Sequence, residues 1–227
     1  MRKSVKYLAI VSSFLAMNTA FAIDLGGSAA IGASNEGATT TVEASYDGIN
    51  LSDNVTVGGA VEYEKIGGNS TLELYPASIT VDYNEYALNA GPAFEITDKS
   101  KETGGYISGA VMLNNYDISV DATVATGVLD NGTINLGYDV VKIGAAIDTS
   151  IGDNTFVGIS AEHSKYNFNN GSSKEQTELE ASLNYALTPS SELYARIVHT
   201  TSPDPFSGDA GGTRYESGYR LNFNTGL

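Results

Sequence analysis

Residues Thr177 to Leu187, TELEASLNYAL, place Leu179, Ala181, Leu183, Tyr185 and Leu187 on one parity and Glu178, Glu180, Ser182 and Asn184 on the other. Successive side chains of a strand point to opposite faces, so this segment is a ribbon with one oily side and one acidic side. A soluble sheet would bury the oily face. A membrane barrel would turn it outward and bring the acids inside, so the rest of the chain decides which face is wet.

The chain opens with MRKSVKYLAIVSSFLAMNTAFA, in which Arg2, Lys3 and Lys6 precede an apolar core that ends in Ala20-Phe21-Ala22. That order predicts a secretory signal peptide over residues 1–22, cleaved after Ala22. Its apolar run is short of the roughly 20 residues a spanning helix needs. The full chain has a formal charge of −15; cleavage removes three basic residues and no acid, which takes the charge to −18. A chain this acidic is a poor partner for nucleic acid. Cysteine is absent, so disulfides and thiolate metal sites are excluded, and stability has to come from a closed sheet or a large core.

Twenty-five glycines and fourteen tyrosines, with abundant Thr, Val and Asn, favour strands and tight turns. Two-residue alternation recurs between turn signals over residues 23–227, with no helical period and no linker. Val55, Val57, Val61 and Tyr63 oppose Thr56, Ala60, Glu62 and Glu64. Ile118, Val120, Ala122 and Val124 oppose Asp117, Ser119 and Asp121. Tyr215, Tyr219, Leu221 and Phe223 oppose Glu216, Arg220 and Asn222. A change of parity at Pro76 predicts a bulge, because proline cannot donate to the ladder. A second slip is expected at Val140-Val141. Asp98 to Glu102, Phe168 to Gln176 and Ser202 to Arg214 read as polar loops.

This spacing predicts an all-β, antiparallel, up-and-down transmembrane β-barrel of about 12 strands over residues 23–227, with 10 or 8 strands and longer loops as alternatives. Tyr46, Tyr63, Tyr83, Tyr86, Tyr106, Tyr116, Tyr185, Tyr219 and Phe223 fall near strand ends, as interfacial aromatic girdles require. Closure answers the demand that lipid makes on every backbone polar group.

The mature start IDLGGSAAIGAS, the hairpin TTTVEASYDGINLSDNVTVGGAVEYE and the terminal strand YESGYRLNFNTGL resemble Gram-negative outer-membrane porins, particularly the acidic alphaproteobacterial type. The resemblance implies a water-filled barrel in the cell outer membrane that passes small hydrophilic solutes by passive diffusion, as a monomer or a homotrimer. Two features depart from it. The usual porin has about sixteen strands and a constriction loop, and its last residue is aromatic, whereas this chain ends in Leu227, with Phe223 four residues upstream. Small twelve-stranded channels for acidic sugars are a related option, but the basic lumen they use is missing here.

With the apolar parity toward lipid, the lumen receives Glu43, Glu62, Glu64, Glu95, Asp117, Asp121, Glu162, Glu178 and Glu180, opposed by Arg196 and Arg220; the parity of Lys142 is undecided. Carboxylates in a low-dielectric wall attract cations, so a cation-preferring pore is expected, with outer-membrane lipid, small hydrophilic solutes and cations as its partners. The competing expectation is that these acids pair with Arg196 and Arg220 and plug the bore. No enzyme, cofactor or metal site is expected. His163 and His199 lie on the apolar parity without a nucleophile beside them, and the Asp-Asn turns match no calcium loop. A non-conducting structural or adhesive barrel and a secreted soluble β-protein are the remaining alternatives.

Overall fold

The computed structural model describes residues 24–130, 135–202 and 211–225. The expected signal peptide, the tip of the 131–134 turn and most of the Ser202 to Arg214 loop lie outside the described residues. Twelve antiparallel strands run in chain order: β1 (Asp24–Ser34), β2 (Gly37–Ser52), β3 (Val55–Ile66), β4 (Asn69–Tyr83), β5 (Tyr86–Thr97), β6 (Ser100–Leu113), β7 (Tyr116–Asp130), β8 (Asn135–Ser150), β9 (Thr155–Phe168), β10 (Ser173–Thr188), β11 (Ser191–Thr200) and β12 (Thr213–Thr225). Each pairs with its neighbour in sequence, and β1 pairs with β12 to close a barrel. Closure leaves no strand edge unpaired.

Both chain ends of the barrel lie at one rim, the terminal rim, with tight turns such as Asn84-Glu85 and Asn114-Asn115. There Asn84 and Asn114 take φ of 55° and 57°, which asparagine tolerates because its short side chain bonds locally. The opposite rim, the loop rim, carries the turns after Ser34, Ile66 and Thr97, the 169–172 connection, and the facing ends of β7 and β8 and of β11 and β12.

The quoted stretch falls within β10. Leu179, Leu183, Tyr185 and Leu187 are exposed on the outer face, between neighbours of equal character: Leu179 and Leu183 pair with Ala161 and Val157 on one side and with His199 and Ala195 on the other. Ile31, Leu88, Ile107, Val124, Ile143, Ile159, Ile197 and Leu221 continue this exposed apolar belt around the wall. Among the described residues no second sheet covers it, so they show no soluble-sandwich packing. An apolar surface of this extent belongs against lipid rather than water. On the outer face of β2 to β5, Ala44, Val61 and Leu72 pack with Tyr63, Leu74 and Ile96. Tyr83, Tyr86, Tyr116, Tyr185 and Phe223 stand exposed at the terminal rim.

The bulge expected at Pro76 is present: pairing of β4 with β5 jumps from Leu74 to Ile79, and the Tyr46 hydroxyl donates to the Pro76 carbonyl at 2.9 Å. Several expectations are corrected. The register of β8 is unbroken on both sides, with no slip at Val140-Val141. Val140 points inward and packs with Ala125, Tyr138, Tyr166 and Phe168, an apolar cluster inside the barrel that an all-polar lumen does not anticipate. The polar run after Asp98 is a tight turn, with Ser100 to Glu102 already in β6. The run after Phe168 reaches β10 by Ser173. Tyr106 is not a girdle residue, because it lies on the inward parity of β6, with its ring edge-on to Tyr75 at 5.0 Å.

Candidate functional site

The lumen is the site, and cross-strand register builds it. Ser28, Glu43, Glu62, Glu73, Glu95 and Glu102 are consecutive register partners across β1 to β6, so five carboxylates stand side by side on five adjacent strands. Barrel strands tilt against the axis, so the row climbs the inner wall toward the loop rim. Like charges directly opposite one another destabilise a sheet. The row is held by donors: Ser28 to Glu43 at 2.8 Å, Tyr75 to Glu73 at 2.8 Å and Tyr138 to Glu102 at 2.8 Å. Lys142 on β8 reaches Glu95 at 2.5 Å and Glu102 at 3.1 Å.

A second cluster lies across the bore. Arg196 on β11 donates through Nε to Glu216 on β12 at 2.8 Å, bonds Glu64 on β3, and lies 3.9 Å from Glu180 on β10. Tyr194 completes it, donating to Glu216 at 2.8 Å while the Arg220 guanidinium sits 5.3 Å from its ring centre. Arg220 in turn pairs with Glu192 at 2.9 Å. Such charge-assisted, multiply bonded contacts hold their geometry better than single surface pairs.

All the acids and arginines expected to line the bore face it. Glu43, Glu62 and Glu95 belong to the carboxylate row, and Glu64 and Glu180 belong to the Arg196 cluster. Asp121, Glu162 and Glu178 line open space. Asp117 pairs in register with Asp148 near the terminal rim. Glu73, Glu102, Asp148, Glu192 and Glu216 join them inside, as do Arg214 and Lys142. Among the described residues, inward carboxylates far outnumber inward cations.

Glycines facing the lumen give these side chains room. A Cβ on Gly144 would lie 2.3 Å from an Asp121 carboxylate oxygen, and one on Gly127 would lie 2.4 Å from the Tyr138 ring. Both side chains therefore fold flat against the wall, and open space remains. A cavity of about 410 Å³ runs from Glu73, Glu95 and Lys142 along Asp121, Glu162 and Glu178 to Gln176 near the loop rim. A smaller one of about 100 Å³ shares Glu73, Glu95, Asp121 and Lys142 with it, and shares Tyr75 and Thr123 with a cavity of about 340 Å³ toward the terminal rim. The shared walls string the three along the bore.

The two histidines face outward near the loop rim, with His163 Nδ1 2.9 Å from the Thr177 hydroxyl and His199 Nδ1 2.9 Å from that of Thr213. They do not meet the lumen acids. Among the described residues no group of three or more potential metal ligands occurs.

A closed antiparallel barrel with an apolar exterior and a bore lined largely by polar and charged side chains has the architecture of bacterial outer-membrane barrels. No protein-family model matches the chain, and no curated protein matches it. Solved structures do match. An outer membrane channel from Pseudomonas putida F1 is 11% identical over 89% of this chain and 96% of its own, with a TM-score of 0.60. The NanC porin is 10% identical over 88% of this chain and 100% of its own, with a TM-score of 0.59. The KdgM porin, solved in complex with disordered oligogalacturonate, is 10% identical over 87% of this chain and 99% of its own, with a TM-score of 0.57. At these identities the likeness is one of fold. The structural neighbours are outer-membrane porins and channels, and the fold of this chain is that of a twelve-stranded outer-membrane barrel.

Proposed function

We propose that this chain, exported by a signal peptide over residues 1–22 and inserted in the Gram-negative outer membrane, is a porin-like channel for passive diffusion of small hydrophilic solutes that prefers cations. The observation that carries the reading is the spatial arrangement of charge: strung cavities walled by Glu73, Glu95, Asp121, Glu162 and Glu178, with Lys142 the only cation lining them among the described residues. Carboxylates in a narrow, low-dielectric bore concentrate cations and repel anions. This charge separates the chain from a carrier of acidic sugars, despite its fold likeness to KdgM, and supports affinity with the acidic porin type. The separation of Thr200 from Thr213, the longest between consecutive strands, lies at the loop rim and supports an extracellular position for that rim.

One observation favours a non-conducting barrel: Arg196 reaches across the bore to Glu64, and Tyr138, Val140, Tyr166 and Phe168 pack inside the barrel near the loop rim. Planar-bilayer recording of the refolded protein separates the two readings. Discrete current steps are expected, and a barrel that inserts, shifts on boiling in gel electrophoresis and passes no current overturns the channel reading. Chemical cross-linking in native membranes distinguishes a monomer from a homotrimer.

A further inference from the structure

The cavity of about 340 Å³ toward the terminal rim differs in chemistry from the acidic bore above it. Its walls come from β2 to β7, and among the described residues Asp121 is its only charged lining residue. Tyr75 and Tyr106 meet edge to face at 77° and form an aromatic corner. Both hydroxyls are engaged, Tyr75 donating to Glu73 at 2.8 Å and Tyr106 to Asn89 Oδ1 at 3.0 Å, which fixes the two rings. Asn89 accepts with its oxygen and so keeps both amide N–H donors for the cavity. Ser45, Ser78, Thr80 and Thr123 add hydroxyls, none of which hydrogen-bonds to another described side chain.

We propose that this cavity is a binding subsite for a small neutral polyhydroxyl solute, a sugar or sugar alcohol, held against the corner of Tyr75 and Tyr106. A pyranose ring presents C–H groups on its faces and hydroxyls around its rim. Aromatic faces take the former, and fixed hydroxyl and amide groups take the latter. The volume lies at the small end of the roughly 300–1,000 Å³ typical of ligand pockets, which fits a solute of about one or two rings. A quaternary ammonium ion would use the rings and Asp121 and leave the surrounding hydroxyls without a partner. The inference deepens the channel reading by naming a solute class. It rests on that reading for transport only, since binding is a property of the cavity alone.

Saturation-transfer difference NMR on the full chain refolded in detergent tests it, with maltose as the probe and choline as the competitor class. Saturable transfer to the ring protons of maltose is expected, about tenfold weaker affinity in Tyr106→Ala, and a smaller loss of about threefold in Tyr106→Phe, which keeps the ring and gives up its bond to Asn89. Thr80→Val, a smaller change, serves as a second variant and is expected to weaken binding about threefold; heat-modifiable migration shows that each variant is folded. Absence of transfer, equal transfer in the folded alanine and valine variants, or binding of choline without maltose overturns the proposal. Current recorded on the same preparation keeps the two readings apart. A barrel that conducts without binding maltose defeats the subsite alone, and one that binds maltose without conducting defeats the channel alone.

Discussion

Two cation-centred clusters occupy the bore, and they differ in reach. Lys142 ties β8 to β5 and β6, three and two strands away along one wall, beside the buried ring of Tyr138. Arg196 ties β11 to β12 next door and to Glu64 on β3, four strands away around the closed sheet. The Lys142 cluster lies along its wall, so its main work is to neutralise two carboxylates that register forces together. The Arg196 cluster spans a chord of the bore from β11 to β3, and if the barrel conducts as proposed, this chord is where its width is set. One kind of interaction thus lies along the wall in one place and crosses the bore in another.

Lys142→Met breaks the first role most directly. It leaves Glu95 and Glu102 opposed, with Glu102 almost fully buried, and is expected to cost about 3 kcal/mol, read as a lower urea midpoint for loss of the barrel's circular dichroism. A midpoint unchanged from the parent would mean that the lysine neutralises nothing of consequence. Leu179→Arg, on the outer face of the strand that presents Glu180 to Arg196, is expected to cost about 2–3 kcal/mol in lipid. Glu180→Arg on the inner face should leave insertion intact and alter selectivity instead. Equal effects at the two positions would contradict the assignment of faces.

Arg196→Ala sharpens the second role. Glu216 keeps its bond from Tyr194, so the stability loss is about 1 kcal/mol, while unit conductance should rise by roughly half as the chord opens. Conductance that falls or stays fixed would remove Arg196 from the aperture. The smallest effect belongs to the Glu178→Gln, Glu180→Gln double variant. It should change stability by less than about 0.5 kcal/mol and lower cation preference measurably at low salt, less so near 1 M, where the Debye length is about 3 Å. Unchanged selectivity would mean that ions do not pass these two positions.

The barrel was largely legible from parity. TELEASLNYAL, Ile118 to Val124 and Tyr215 to Phe223 each keep one alternation from end to end, and the observed register follows it. What parity missed has local causes. Glu73 sits just before the bulge at Pro76, where inward and outward parities exchange. Glu102 lies in the run Lys99-Ser100-Lys101-Glu102, whose polarity reads as loop although it is the start of β6. Lys142 was obscured by Val140-Val141, because an apolar residue that faces a lumen mimics a slip of register; Tyr138, Tyr166 and Phe168 provide its packing. Tyr106 did carry a signal, since it adjoins outward Ile107 on the same strand. Its reading as a strand-end residue outweighed that alternation, although it lies in the middle of β6. The crossing from Arg196 to Glu64 joins residues far apart in sequence, and only closure of the sheet brings them together.

In the proposed channel, the carboxylates from Glu43 to Glu102, together with Glu162 and Glu178, make the bore selective for cations. The zero-current potential of the refolded protein in a potassium chloride gradient tests this selectivity most directly. The potential is expected to lie toward the potassium equilibrium potential. A value near zero or toward that of chloride would rule out cation selectivity.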